Sequence, residues 1–488
     1  MIVRRSFLQW EKFEEKTIRT FTVKEIIDAT GGILLSGDES NEVYRVCTDS
    51  RKAGPGDLFF ALKGENNDGH NYLAQVLESG CRTIVVSDES KVPKQAFQAQ
   101  PGDADIISTE DTTAALQRLS AYYLDSLPLT AKIAVTGSVG KTSTRDMLYY
   151  ALSTTFRTGR NPKNFNNGFG LPLSIMDFAP DTEAAVLEMG MSAAGEIEKL
   201  ARLARPDIAI ITNIGISHIE NLGSREGILK AKLEITSCFD ENSVLIINAD
   251  NDMLTPENVN GPYRVVTVGS GSDCDYRISD VCDSGDKGVE YNLHCGDREY
   301  AVKLPVPGAH NAVNSALAVA AAEIAGVSPD KAIRGLEHAE LTEKRLNIKN
   351  KGRIKVIDDT YNACPDSMKS AINTLMATEK EADGRRIAIL GDMLELGGES
   401  EKAHLEIGRY AGEKGTDLLI AVGEAAEGYA RGAEAMKDMR KDRVRYYADK
   451  ETLLKDISGM INQGDVVLVK ASRSMFLEEV VKEILKDK

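Results

Sequence analysis

The stretch Lys132-Ile-Ala-Val-Thr-Gly-Ser-Val-Gly-Lys-Thr-Ser-Thr144 constrains this chain most. Residues 133–135 are apolar and β-favouring, which predicts a buried strand. Residues 137–140 make a turn, and residues 141–152 predict a helix with Met147, Leu148, Ala151 and Leu152 as its apolar stripe. A strand, a glycine turn and a helix opening on Lys-Thr form a phosphate cradle. Gly137, Ser138 and Gly140 let backbone N–H groups approach phosphate oxygens, and the helix N-terminus adds partial positive charge. Lys141 is placed to bridge the β- and γ-phosphates, and Thr142 to set its hydroxyl on Mg²⁺, with Ser143 next on the same turn. The commonest form of this loop has a further glycine where Val135 stands. A plain strand-to-helix turn would need the glycines but not the Lys-Thr pair.

A chain of 488 residues exceeds one ordinary core, and three domains are expected: 1–128, 129–340 and 341–488. The net charge of −16 argues against nucleic acid or an anionic membrane as main partner. Seven cysteines without a C-x-x-C pair indicate neither a disulfide framework nor a zinc site, and fit reduced thiols in a cytoplasmic protein. No apolar run reaches membrane-spanning length, and the N-terminus does not read as a signal peptide. Residues 1–20 read as an extra helix or a loose tail.

The first domain alternates short helices and strands. Asp49-Ser50-Arg51 follows an expected strand at 43–48. It reads either as a solvated turn or as an anion holder, with arginine offering a fork of donors. In the central domain, residues 161–172 are so rich in Asn and Gly that a ligand-approaching loop is expected. Glu188 ends a strand (184–187) on the edge that carries the phosphate loop, so it is a metal-ligand candidate. His218 lies just past the next strand (207–212) on the same edge, where a second metal would account for it. Residues 224–236 predict a helix carrying Lys232. Residues 263–304 alternate in short runs that predict an antiparallel patch. Asn311 and Asn314, three apart on an alanine-rich helix, suit either an adenine edge or a helix cap. The third domain repeats strand and helix regularly and predicts a second open α/β sheet, whose strand ends carry Asp358-Asp359, Asn362, Asp392, Glu395 and Lys470-Ala-Ser472-Arg473.

Several motifs together resemble the Mur ligase family. They are Thr-Gly-Ser-Val-Gly-Lys-Thr (136–142), Leu-Glu-Met-Gly-Met-Ser (187–192), Thr-Asn-Ile-Gly-Ile-Ser-His (212–218), Ala-Lys-Leu-Glu-Ile (231–235) and Gly-Ala-His-Asn-Ala-Val-Asn (308–314). The first domain, with Thr-Asp-Ser-Arg at 48–51, resembles the family's UDP-binding domain. The resemblance implies uridine-diphosphate contact for Ser50 and Arg51, with Lys63 and His70 as further candidates. In the third domain, the stretches at 358–368, 389–397 and 467–475 resemble the member that adds D-Ala-D-Ala. The Asp-Asn-Pro-Arg signature of the diaminopimelate-adding member is absent.

The expected fold is α/β in three domains: a UDP-binding αβ domain, a central P-loop ATPase-like domain with mostly parallel sheet plus an antiparallel patch, and a C-terminal doubly wound domain. The implied reaction is ATP-dependent amide formation. The substrates would be UDP-MurNAc-tripeptide and D-Ala-D-Ala, joined through an acyl phosphate. Gly137, Ser138, Gly140, Lys141, Thr142, Ser143, Asn311, Asn314, Arg345 and Asp359 would hold ATP. Thr142, Glu188, His218 and Lys232 would serve two Mg²⁺ ions, with Lys232 matching the family lysine that becomes a carbamate. Lys141, Lys232 and Arg345 are the expected catalytic residues, Arg345 toward the γ-phosphate. Asn362, Ser472 and Arg473 would face the dipeptide, and a monomer is expected. A folylpolyglutamate synthase and a non-enzymatic nucleotide switch are the rival readings.

Overall fold

The computed structural model describes residues 19–64, 67–98, 104–436 and 441–486. The helix or tail expected at the N-terminus falls, up to residue 18, outside the described residues. The chain divides into two compact units. One comprises Met1–Lys132, Phe156–Met189 and Lys199–Arg205; the other comprises Ile133–Thr155, Gly190–Glu198 and Pro206–Lys488.

The first unit holds a five-stranded sheet in the order Ile33–Ser36, Asp105–Ser108, Thr83–Val86, Asp57–Phe60, Arg45–Cys47. The last four run parallel, and Ile33–Ser36 pairs antiparallel with Asp105–Ser108. The central strands are buried on both faces, as parallel strands covered by helices must be. The strand expected at 43–48 is broken into Glu42–Val43 and Arg45–Cys47. Helix Val23–Thr30 opens on a capping box between Thr22 and Glu25 and closes on Gly31 at φ 67°. The same unit contains the parallel pair Thr158–Arg160 and Ala184–Glu188.

In the second unit the strand order is Ala131–Thr136, Ile208–Ile211, Val244–Asn248, Arg264–Gly269, Tyr276–Asp283, Val289–Cys295, Arg298–Leu304. The first five are parallel. The antiparallel patch therefore starts at Tyr276–Asp283, not at residue 263 as its alternating pattern suggested. Arg264–Gly269 alternates in burial along part of its length, yet it pairs parallel with Val244–Asn248.

A six-stranded sheet follows in the order Asn347–Lys351, Ile354–Asp359, Val466–Lys470, Arg386–Gly391, Leu418–Val422, Val444–Tyr447. All but the first edge strand are parallel, and apolar cores cover both faces, the doubly wound arrangement expected. The register sets Asp359 beside Lys470, and Lys470 beside Leu390, so the polar strand ends gather on one edge.

Candidate active site

The phosphate loop leaves strand Ala131–Thr136 and enters helix Lys141–Leu152 through Gly140 at φ 85°. That left-handed conformation disfavours any side chain, and a Cβ on Gly140 would lie 2.7 Å from Asn314 Oδ1. The end of the neighbouring strand sets the loop's shape. Val139 N–H donates to Asn213 Oδ1 (2.8 Å) and Ser138 N–H to the Asn213 carbonyl (3.0 Å). The Thr212 hydroxyl donates to the Val139 carbonyl (2.5 Å), and Gly215 N–H donates to Ser138 Oγ (3.0 Å). Ser138, expected to face phosphate, thus has its N–H and its hydroxyl oxygen engaged by Asn213 and Gly215, past the end of the neighbouring strand. Thr212 and Asn213 are the site residues that sequence reasoning missed. Their signal was a polar pair directly after an apolar strand on the phosphate-loop edge.

The first intrahelical bond runs from Thr144 N–H to the Gly140 carbonyl (2.9 Å). The N–H groups of Lys141, Thr142 and Ser143 precede it and have no helical acceptor, the usual anion-binding end of a helix. Lys141 folds back on its loop, donating to the Gly137 (2.7 Å) and Ser138 (3.2 Å) carbonyls. Thr142 Oγ1 is buried with no hydrogen-bond partner among the described residues. A hydroxyl oxygen left so is a suitable donor for a hard cation such as Mg²⁺. Behind the loop, Asn314 donates to Asn311 Oδ1 (3.0 Å), and Asn311 donates to the Pro307 carbonyl (2.7 Å). The pair braces Gly140, and reading an adenine edge would require those bonds to be exchanged.

Lys232 lies on helix Arg225–Leu233 and is 2% exposed, so it does not sit on a solvent-facing side of that helix. Burial pushes its amine well below the ordinary lysine range, and the charge of Lys141 adds to the shift. His218 sits at φ 63° with Nδ1 2.7 Å from Glu395 Oε2, and Glu395 is itself at φ 63°. The histidine holds the Glu395 carboxyl below the usual range. Two non-glycine residues in the left-handed region, in contact, mark a strained and over-determined junction.

Arg345 stacks its guanidinium 4.2 Å above the Tyr361 ring, and its Nε is buried without a hydrogen-bond partner among the described residues. Asp359 accepts from Lys470 Nζ (2.6 Å) and from Leu346 N–H (3.2 Å). Burial pushes its carboxyl up against the pull of Lys470 and Arg345. Lys470 also donates to the Asn362 carbonyl (2.8 Å), while the Asn362 amide oxygen accepts from Ala363 N–H (2.9 Å). Ser472 is buried and accepts from Leu394 N–H (2.9 Å), which makes it a brace for the loop after Gly391. Arg473 is half exposed, 3.6 Å from Glu478.

In the first unit, Glu188 is buried and accepts from Asn166 Nδ2 (2.8 Å). Its backbone is held at both ends by Asn161 (2.8 and 3.1 Å), so the Asn-rich loop fastens this carboxylate. The loop is shorter than expected, since helix Gly170–Met176 begins inside it. Arg51 is exposed and forks onto Asp49 (2.8 Å twice), which holds the Asp49 carboxyl down at about 2. Ser50 is partly exposed beside it, and Lys63 is exposed. His70 is a different case. It is buried, Nδ1 meets Asp68 (2.7 Å) and Nε2 accepts from Ser87 N–H (2.9 Å), so both ring nitrogens serve the fold and the expected diphosphate contact is withdrawn.

Three family models match in series: Mur ligase family, catalytic domain, over residues 42–124; Mur ligase middle domain over 135–322; and Mur ligase, glutamate ligase domain, over 344–473. A Bacillus subtilis relative named UDP-N-acetylmuramoyl-tripeptide–D-alanyl-D-alanine ligase is 40% identical over 466 residues, covering 95% of this chain and 98% of its own. The chain belongs to the Mur ligase family. Among solved structures, MurF from Acinetobacter baumannii superposes with a TM-score of 0.85 at 30% identity, covering 96% of this chain and all of that one. MurF from Thermotoga maritima in complex with ADP superposes at 0.76 with 28% identity, covering 90% and 97%. As expected for a Mur ligase, three domains of α/β type succeed one another, and the phosphate loop lies in the middle one.

Proposed function

We propose that this Mur ligase joins D-Ala-D-Ala to UDP-MurNAc-tripeptide at the expense of ATP, in the synthesis of peptidoglycan precursors. The full-length match to a relative of that name carries the reading. The chemistry suits the residues. A carboxylate is a poor electrophile because oxide would have to leave. Transfer of the γ-phosphoryl group to the terminal carboxylate gives an acyl phosphate and ADP. The dipeptide amine then attacks the carbonyl carbon, the amine loses a proton, and the C–O bond to phosphate breaks. Catalysis here is positioning and charge neutralisation. Lys141, released from its loop carbonyls, would pair with the β- and γ-phosphates. Arg345 would bring positive charge to the γ-phosphate, and Asp359 would orient the nucleotide from the third domain.

The donor set fits Mg²⁺. The Thr142 hydroxyl lacks a partner among the described residues, and His218, with Nδ1 directed at Glu395, would offer its other ring nitrogen to a ligand. Glu188 carries over from the family motif as a further oxygen ligand. Bound metal would supply charge stabilisation for the transferring phosphoryl group. Lys232 is suited to carbamate formation because burial favours the neutral form of its amine: the amine nitrogen would bond to the carbon of CO₂ and release one proton, turning a neutral group into an anion. Residues 1–128 would take the UDP moiety with Ser50 and Arg51, residues 129–340 ATP, and residues 341–488 the dipeptide with Asn362. A cytoplasmic monomer is the state proposed; no described helix is long and apolar enough to cross a membrane.

The test is phosphate release from ATP with each substrate omitted in turn, alongside mass detection of the UDP-MurNAc-pentapeptide. Release should need both substrates. Equal release without either would favour a nucleotide switch, and turnover with folate and glutamate would favour a folylpolyglutamate synthase.

A further inference from the structure

The largest fully buried side chain among the described residues is a cation that the mechanism above does not use. Arg145, on the phosphate-loop helix, is 1% exposed and pairs with its neighbour Asp146 through two bonds (2.6 and 3.0 Å). Both then reach one residue far along the chain. The Arg145 guanidinium donates to Thr342 Oγ1 (2.9 Å). Asp146 Oδ2 accepts from Thr342 N–H (2.9 Å) and from its hydroxyl (2.8 Å). Thr342 lies three residues before Arg345, on the segment that leads into the third domain.

That segment is fastened at its other end too. Lys344 and Leu346, on either side of Arg345, both adopt left-handed backbone at φ 64° and 52°. The Lys344 carbonyl accepts from Tyr361 N–H (3.2 Å), Lys344 Nζ pairs with Glu478 (2.6 Å), and Leu346 N–H donates to Asp359 Oδ1 (3.2 Å). Strain of this kind persists only where surrounding bonds over-determine it. The linker is thus clamped upstream to the helix whose N-terminus would hold phosphate, and downstream to the carboxylate and ring that frame Arg345.

We propose that Arg145 and Asp146 are positioning residues that act through Thr342 to hold Arg345 in reach of the nucleotide. The clamp ties the arginine's placement to the phosphate-loop helix itself, so that cation and cradle keep one geometry although they come from different domains. It rests on the reading of Arg345 as a nucleotide contact.

The experiment is a double-mutant cycle in the full-length enzyme, Thr342→Val against Arg345→Ala, with active sites counted by nucleotide binding. Valine keeps the shape of threonine and removes only the hydroxyl. Thr342→Val is expected to lower kcat per active site about tenfold, with KM for ATP changed less than about twofold and with Ser at 342 restoring the rate. In the Arg345→Ala background the same substitution should change kcat less than about twofold. Equal losses in both backgrounds would overturn the clamp and leave Arg345 in its role. An Arg345→Ala enzyme with full activity would instead overturn the nucleotide-contact reading on which the clamp rests. Asp146→Asn, which keeps the volume but loses the charge that holds Arg145, should repeat the pattern.

Discussion

At the scale of single residues, Lys232 shows how burial turns an ordinary side chain into a reactive one. A lysine at the surface stays charged; this one is buried beside Lys141, and its amine is driven toward the neutral form that CO₂ requires. Lys232→Ala is expected to lose most turnover, partly restored by a short carboxylate such as acetate, measured as phosphate release. A fully active alanine variant would return the residue to a structural role. Stability should carry the same signature. The folded state binds fewer protons at this site than the unfolded chain, so stability rises with pH between the lowered value and about 10.4. Lys232→Met removes that dependence, and its melting temperature should exceed that of the parent most at the acidic end of the window. A parallel pair of melting curves across pH would contradict the assignment.

At the scale of elements, the phosphate loop depends on shape more than on its own chemistry. Gly140 is confined by its left-handed backbone and by Asn314, and the loop N–H groups are partly taken up by Asn213. Gly140→Ala should raise KM for ATP at least tenfold, combining a left-handed penalty of about 1–2 kcal/mol with the contact to Asn314. Gly195→Ala is the control, because that residue is equally left-handed at φ 83° but has open space around it. It should lower stability by about 1 kcal/mol and leave KM unchanged. Asn213→Ala leaves the Val139 N–H without its acceptor, at a cost of about 1–3 kcal/mol, and should weaken ATP binding by titration in proportion. The helix over 141–152 was legible to the residue, since its glycine entry and apolar stripe are local signals. The brace from Thr212 and Asn213 was not, because it joins positions some 70 residues apart by a strand pairing that local pattern does not encode.

At the scale of the whole molecule, ATP with Mg²⁺ at a hundred times its Kd should stabilise the enzyme by about 2.7 kcal/mol, read as a thermal shift. Lys141→Ala should abolish most of that shift. A full shift in the variant would move phosphate recognition away from this loop.

The amino-acid sequence by itself determined the α/β class, the succession of three domains and the membership of the family. Those follow from local periodicity, from glycine and lysine at fixed spacings, and from motif order. Tertiary structure alone decided which polar residues brace their neighbours. His70 carries a side chain fit for binding, yet its ring nitrogens meet Asp68 and Ser87, and Ser138 Oγ accepts from Gly215 N–H while the Ser138 N–H donates to the Asn213 carbonyl. Arg145 reads as an ordinary helix arginine until Asp146 and Thr342 close around it. The physical reason is the same throughout: a hydrogen-bonding group in a buried place must find a partner, and the partner is chosen by the fold from anywhere in the chain.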